Sequence, residues 1–236
     1  MSVGLGAQVG VGRVRVATGG DVLAIDRLLH RCGVRGRGVE VVGDVAGDRV
    51  GVATLGVGAV GGAVRAAAAP GAGLVVLRRQ LDPVLRSGDL QLARMLCTTV
   101  LVVECDRDVI GVVVAAPARS LLEHISPRVD ERARRAVVSR GVSTVVEVCA
   151  VAVDERWRRR GVGTYLVDEV VSLYRAAGYR QGFGQVPDRP EWVGFAVATG
   201  LSPTGVGAGV DLTAVLGVPA VIRPTAGHRL LHLHNP

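Results

Sequence analysis

From Val142 to Val153 the chain is an almost unbroken apolar, β-branched run whose one charge is Glu147. It empties into Asp154-Glu155-Arg156-Trp157-Arg158-Arg159-Arg160-Gly161-Val162-Gly163-Thr164. A run that apolar suits a strand covered on both faces, so helices must flank a sheet. After the turn, Val162, Leu166, Val170, Leu173 and Ala177 recur at helical spacing. They predict an amphipathic helix from about Gly161 to Ala177, stopped by Gly178.

The other elements are read from the same periodicities. Arg13–Val16 reads as a strand, followed by a helix from Gly20-Asp21 to Gly33. A hairpin is expected over residues 39–55, and the Gly/Ala-rich stretch 56–73 reads as a loop. Leu74–Leu77 reads as a strand, and Asp82-Pro83 as the start of a helix reaching Leu96. Thr99–Cys105 and Val109–Ala116 form a second hairpin, and residues 119–140 read as a charged helix. After Gly178 come a strand over 181–186, a helix over 190–199, and one or two strands between Val206 and Ile222. The order strand, helix, hairpin thus occurs twice. Residues 1–72 are either a degenerate half-repeat or an enlarged front end. Residues 73–215 form the expected core, and 216–236 a C-terminal tail.

Composition excludes several classes. Apolar residues make up 49% but aromatics only 3%, so the core is built from Val, Leu, Ile and Ala. The net charge is +7, and every basic residue other than the histidines is Arg. The Arg residues are dispersed apart from clusters at 132–135 and 156–160, without the aromatic-interleaved basic stripe of a nucleic-acid binder. Cys32, Cys97, Cys105 and Cys149 show no CxxC spacing, and His232 and His234 have no third ligand nearby. No metal and no disulfide frame is expected, and the thiols suit a reducing compartment. No signal peptide or membrane span is indicated, so a cytoplasmic location is expected.

The Arg/Gly turn has its own chemistry. Glycines remove side chains where a phosphate must approach backbone N–H groups, and a helix N-terminus adds its positive dipole end. Arg158, Arg159 and Arg160 add charge there. The turn lacks the Gly-Lys-Ser/Thr ending of a nucleotide P-loop. Leu166 stands where the third Gly of a dinucleotide motif would fall. What remains is a pyrophosphate cradle of another kind.

Arg158, Gly161 and Gly163 match the acyl-CoA motif Gln/Arg-x-x-Gly-x-Gly/Ala, and the chain resembles the GNAT superfamily of N-acetyltransferases over roughly residues 74–213. The run before the turn looks like that family's fourth strand, and the hairpin containing Gly111 like its second and third. Trp192–Leu201 is similar to its last helix, which often ends Phe-Tyr-x-x-x-Gly-Phe. The resemblance implies a mixed, mostly antiparallel α/β sheet flanked by helices and splayed between the family's strands 4 and 5. It implies acetyl-CoA as cosubstrate, held by Val151, Val153, Arg158, Arg159, Arg160, Gly161, Val162, Gly163 and Thr164. Strand amides near Val151–Val153 would polarise the thioester. Glu147, fourteen residues before Gly161, would be the general base, its pKa raised by desolvation. Ala196 stands where many members carry a Tyr that protonates the leaving thiolate.

The expected reaction is acyl transfer from acyl-CoA to a primary amine, on a small molecule or a protein. The alternatives are a non-catalytic GNAT-like module that binds acyl-CoA or a protein, and a basic nucleic-acid-associated protein. The acceptor, the acyl chain and a homodimer are left open.

Overall fold

The computed structural model describes residues 8–9, 12–34, 60–118 and 131–233. The hairpin expected over 39–55 and the first half of the charged helix lie outside them. The described strands are β1 (Gln8–Val9), β2 (Gly12–Val16), β3 (Thr99–Cys105), β4 (Asp108–Pro117), β5 (Val145–Val153), β6 (Gln181–Pro187), β7 (Ser202–Pro203), β8 (Val210–Asp211), β9 (Val221–Ile222) and β10 (His228–Leu233). The helices are α1 (Val22–Arg31), α2 (Gly62–Ala68), α3 (Gly73–Ser87), α4 (Leu90–Leu96), α5 (Glu131–Thr144), α6 (Val162–Ala176), α7 (Pro190–Ala198) and α8 (Thr213–Leu216).

Eight strands form one sheet in the order β1-β2-β3-β4-β5-β6-β10-β7, and β8 pairs only with β9. Every pairing is antiparallel except β5 with β6. This is the mixed, mostly antiparallel sheet expected. One face packs on α2, α3 and α6 through Val64, Leu77, Leu81, Leu166, Val170 and Tyr174. The other packs on α1 through Ile25, Leu28 and Leu29 against Val100, Val112, Val114 and Ala152. The β3–β4 turn places Asp106 at φ 49° and Arg107 at φ 71°. That is the two-residue primed geometry matching the right-handed twist of the strands.

Several assignments are corrected. The stretch 56–73, read as a loop, contains α2, whose Ala63, Val64 and Ala67 are buried. Alanine is the strongest helix former, and tertiary burial supplies what a polar face would otherwise signal. Leu74–Leu77, read as a strand, is the first turn of α3, which buries Leu77 and Leu81 four residues apart. A short apolar run has no period of its own and follows its neighbours. Pro83 lies inside α3, not at a helix start. The next helix is capped by Asp89, whose carboxylate accepts from Leu92 N at 2.8 Å. β5 begins at Val145, because Ser143 and Thr144 bond back to the Ser139 and Arg140 carbonyls at 2.7 and 2.5 Å and extend α5.

The boundaries drawn at 72/73 and 215/216 cut across this sheet. β2 pairs with β3 along Arg13–Val16, and β10 lies between β6 and β7. An arginine fork secures the front strand. Arg15 donates to Glu104 from Nε at 2.5 Å and to both oxygens of Asp21 at 2.7 and 2.8 Å. Thr18 adds its N–H and hydroxyl to Asp21 at 2.7 and 2.8 Å. Asp21 sits just before α1, so the network locks β2, β3 and α1 together.

The Arg15 fork and the Thr18 donors hold the Asp21 carboxyl down at about 2 against an ordinary 3.8. A carboxylate with a depressed folded pKa stabilises above its unfolded value, and that contribution is lost as pH falls through the folded one. Asp21→Asn should therefore cost about 1–3 kcal/mol at neutral pH. In denaturant melts the gap to wild type should close between pH 3.8 and about 2; a gap independent of pH would refute the ionic role.

Candidate functional site

The site begins with a break in strand pairing. β5 pairs with β4 along its length, but the register shifts between Val114↔Ala150 and Ala115↔Val148. Cys149 is the extra residue, a β-bulge that bends the strand and increases its twist. On its other edge β5 pairs with β6 only from Val145↔Gln181 to Val148↔Gly184. β6 continues alongside β10 as far as Pro187. From Cys149 onward, therefore, β5 and β6 diverge. The splay expected between the family's fourth and fifth strands opens at the bulge.

Backbone direction along the open edge follows from one bond. Asp154 N donates to Ile110 O on β4 at 2.9 Å. Backbone groups alternate sides along a strand, so those of Ala152 face β4 and those of Val151 and Val153 face the opening. The N–H groups of Val151 and Val153 therefore lie on the side of the splay.

Beyond β5 the chain makes a compact turn. The Asp154 side chain accepts from Arg156 N at 3.2 Å and caps the short 3-10 turn Glu155–Trp157. Arg160 lies over the Trp157 ring, 5.1 Å from its centroid. Arg159 takes φ 61° and Gly161 φ 81°. A left-handed Arg is uncommon and carries strain that the surrounding turn must hold. A Cβ on Gly161 would find nothing within 4 Å, so this glycine serves the backbone bend and leaves open space before the helix. Gly161 O takes Tyr165 N at 2.9 Å. The N–H groups of Val162, Gly163 and Thr164 lie in the first turn of α6, where no intrahelical acceptor exists, and no side chain caps that end.

Two other glycines bring α6 down onto the sheet. A Cβ on Gly111 would sit 2.9 Å from a Val162 methyl and 3.1 Å from Leu166 Cδ1. One on Gly163 would sit 3.1 Å from the Phe195 ring. Gly163 is thus a packing glycine between α6 and α7 as well as part of the turn, a role its motif position does not reveal.

Glu147 lies in the paired half of β5, opposite Ala116 on β4 and Phe183 on β6. It is only 4% exposed. Val146 packs on the α6 side, so alternation puts Glu147 on the other face, the one α1 covers further along. The Arg/Gly turn opens α6 on one face of the sheet, and the Glu147 carboxylate belongs to the other. The Cys149 thiol, at the bulge, donates to Glu147 O at 3.5 Å. Ala196, in the register of the family's Tyr, is fully buried in a cluster with Val167, Val186 and Leu231. A side chain there points into the core and not into the opening. Tyr165, on the first turns of α6, has its pKa raised by desolvation and by the neighbouring Glu169. A depression among Val146, Tyr174, Tyr179 and Gln181 lies at the opposite end of β5 and shares no residue with the site. Among the described residues no group of His, Cys, Asp and Glu could hold a metal, and no helix is long and apolar enough to cross a membrane.

Sequence reasoning missed the bulge at Cys149, the seating of α6 by Gly111, and the contacts of Arg158. That guanidinium donates from Nε to Val153 O at 3.1 Å and from Nη2 to Cys32 Sγ at 3.6 Å.

A family model described as "Acetyltransferase (GNAT) family" matches residues 80–198, half of the chain. Ard1 from Thermoplasma volcanium is 15% identical over 95% of this chain and 99% of its own, with a TM-score of 0.48. A GNAT superfamily phosphinothricin acetyltransferase from Sinorhizobium meliloti, solved in complex with AcCoA, is 14% identical over 94% and 88%, with a TM-score of 0.47. A ribosomal-protein-alanine N-acetyltransferase from Brucella melitensis is 16% identical over 93% and 96%, at 0.44. No match was found among curated proteins.

The seating of α6 can be tested away from the turn. Gly111→Val forces the helix start off the sheet, because its Cβ would overlap Val162 and Leu166. Overpacking of this kind costs about 1–3 kcal/mol. Calorimetric melting should show that loss, and unchanged stability would mean that α6 is not held by this contact.

Proposed function

The chain belongs to the GNAT acetyltransferase family, and from that premise we propose that it transfers an acetyl group from acetyl-CoA to a primary amine by direct attack. The observation that carries the reading is the parting of β5 from β6 at Val148/Gly184, immediately upstream of the Arg/Gly turn. The turn fits a pyrophosphate. Open space lies before Gly161, and Arg159 and Arg160 are exposed around it, while Arg158 is turned back onto Val153 O. The first-turn amides of Val162, Gly163 and Thr164 point along the helix axis with a positive dipole end behind them.

Each residue then has a task. The Val151 and Val153 N–H groups donate along the open edge, toward a thioester carbonyl as it gains negative charge. Glu147 accepts the amine proton, directly or through water, since only a neutral amine can attack. The thiolate of CoA leaves with the electron pair of the broken C–S bond. Ala196 supplies no acid, so its proton comes from water or from the amine itself. A thiolate is a good enough leaving group for that.

The buried Ala196 favours one second reading, a family member that binds acyl-CoA without turnover. Acetylation of any amine in a screen excludes it. The acceptor class, small molecule or protein amine, is what such a screen decides.

Two substitutions separate binding from chemistry. Gly161→Val puts a branched side chain at φ 81°, a conformation that costs an L-residue about 1–2 kcal/mol. CoA affinity should fall at least about tenfold while the circular dichroism spectrum is kept; undiminished affinity by calorimetry would remove the turn from the site. Glu147→Gln keeps the shape and cannot take a proton. Its turnover should fall by roughly 10²- to 10⁴-fold with CoA affinity unchanged, and the defect should shrink at high pH, where the amine is already neutral. Wild-type turnover in this variant at neutral pH would show that another group is the base.

A further inference from the structure

Arg158 opens the family motif, yet its guanidinium is turned back onto the protein. Nε donates to Val153 O at 3.1 Å, and Nη2 donates to Cys32 Sγ at 3.6 Å. Cys32 is the C-cap of α1, and its thiol also donates to Val153 O at 3.5 Å. One carbonyl thus takes two side-chain donors. It belongs to the edge of β5 that has lost β6, where no strand can satisfy it. A second link joins the same two elements. Arg31, the last residue of α1, meets Asp154 at 3.2 Å, and Asp154 caps the 3-10 turn that leads to Arg158. The end of β5, the Arg/Gly turn and the C-terminus of α1 therefore close into one ring of contacts.

We propose that Arg158 is a positioning residue that fastens the cofactor turn to the last carbonyl of β5 and to α1, and so couples cofactor binding to α1. This rests on the assignment of the turn as the CoA site. Arg158 serves that site from behind. It satisfies the Val153 carbonyl, which keeps the strand end straight and the Val153 N–H aimed into the opening. Arg159, Arg160 and the α6 amides are left to meet the phosphates. The geometry needs a guanidinium. Its planar fork reaches two acceptors at once, whereas a Lys ammonium offers a point charge that can restore a phosphate contact but not both anchors.

The test is a CoA titration by calorimetry of the wild type, Arg158→Lys, Arg158→Ala, Cys32→Ala and the Arg158→Lys/Cys32→Ala pair, with melting curves to confirm folding. Arg158→Lys should lose nearly as much affinity as Arg158→Ala, about tenfold, as expected for hydrogen bonds from a charged group. Cys32→Ala should lose less, and the double variant should fall short of the sum, as coupled residues do. Hydrogen exchange should show CoA slowing the amides of residues 28–32 in the wild type and not in Arg158→Lys. Wild-type affinity in Arg158→Lys would overturn the proposal and make Arg158 a phosphate contact. Strict additivity with Cys32→Ala, or no change at α1 on adding CoA, would overturn the coupling. A wild type that does not bind CoA would overturn the assignment of the turn itself.

Discussion

The site depends on one inserted residue. Inserting Cys149 into β5 keeps the strand joined to β4 on one edge while parting it from β6 on the other. Beyond it, the Val151 and Val153 backbone groups face an opening inside an otherwise continuous sheet. Unpaired backbone groups cost free energy when buried, so the protein leaves them where solvent or a ligand can reach. Val153 O takes the donors of Arg158 and Cys32.

The opening is useful because helix α6 starts beside it. That placement rests on close approach. Gly111 lets Val162 and Leu166 settle on β4, and Gly163 lets the Phe195 ring of α7 lie against the helix start. The strain of a left-handed Arg159 and the bend at Gly161 let the chain leave the strand and enter the helix with its first amides facing outward. The carboxylate of Glu147 lies on the other face of the strand, buried between β4 and β6.

Charge is organised around the edges of this arrangement. The Arg15 fork ties the front strand and α1 to β3, and the Arg31–Asp154 pair ties the far end of α1 to the exit of β5. Helix α1 is held at both ends by ions and along its length by Ile25, Leu28 and Leu29. The largely exposed Arg31 end contributes little energy on its own, whereas Asp21 in the fork is buried; both links join elements that the sheet alone would leave free to shift.

The sequence by itself determined the strand, turn and helix read over Val142 to Ala177, apart from the three residues at its start that belong to α5, the β3–β4 hairpin, and the glycines of the turn. Each is a local matter of hydrophobic period, turn chemistry and helix termination, written in adjacent residues. It misjudged residues 62–77, because Ala-rich and short apolar runs carry no period, and α2 and the start of α3 are helical through burial against α6 and the sheet. It did not reveal that β10 enters between β6 and β7, since strand order is set by contacts between residues far apart in the chain. Only the tertiary structure decided where β5 leaves β6, that Ala196 is sealed in the core, and that Arg158 turns inward to Val153 and Cys32. A bulge is a mismatch between two strands, and an arginine has many places to point. Neither has a meaning until the partner is in place.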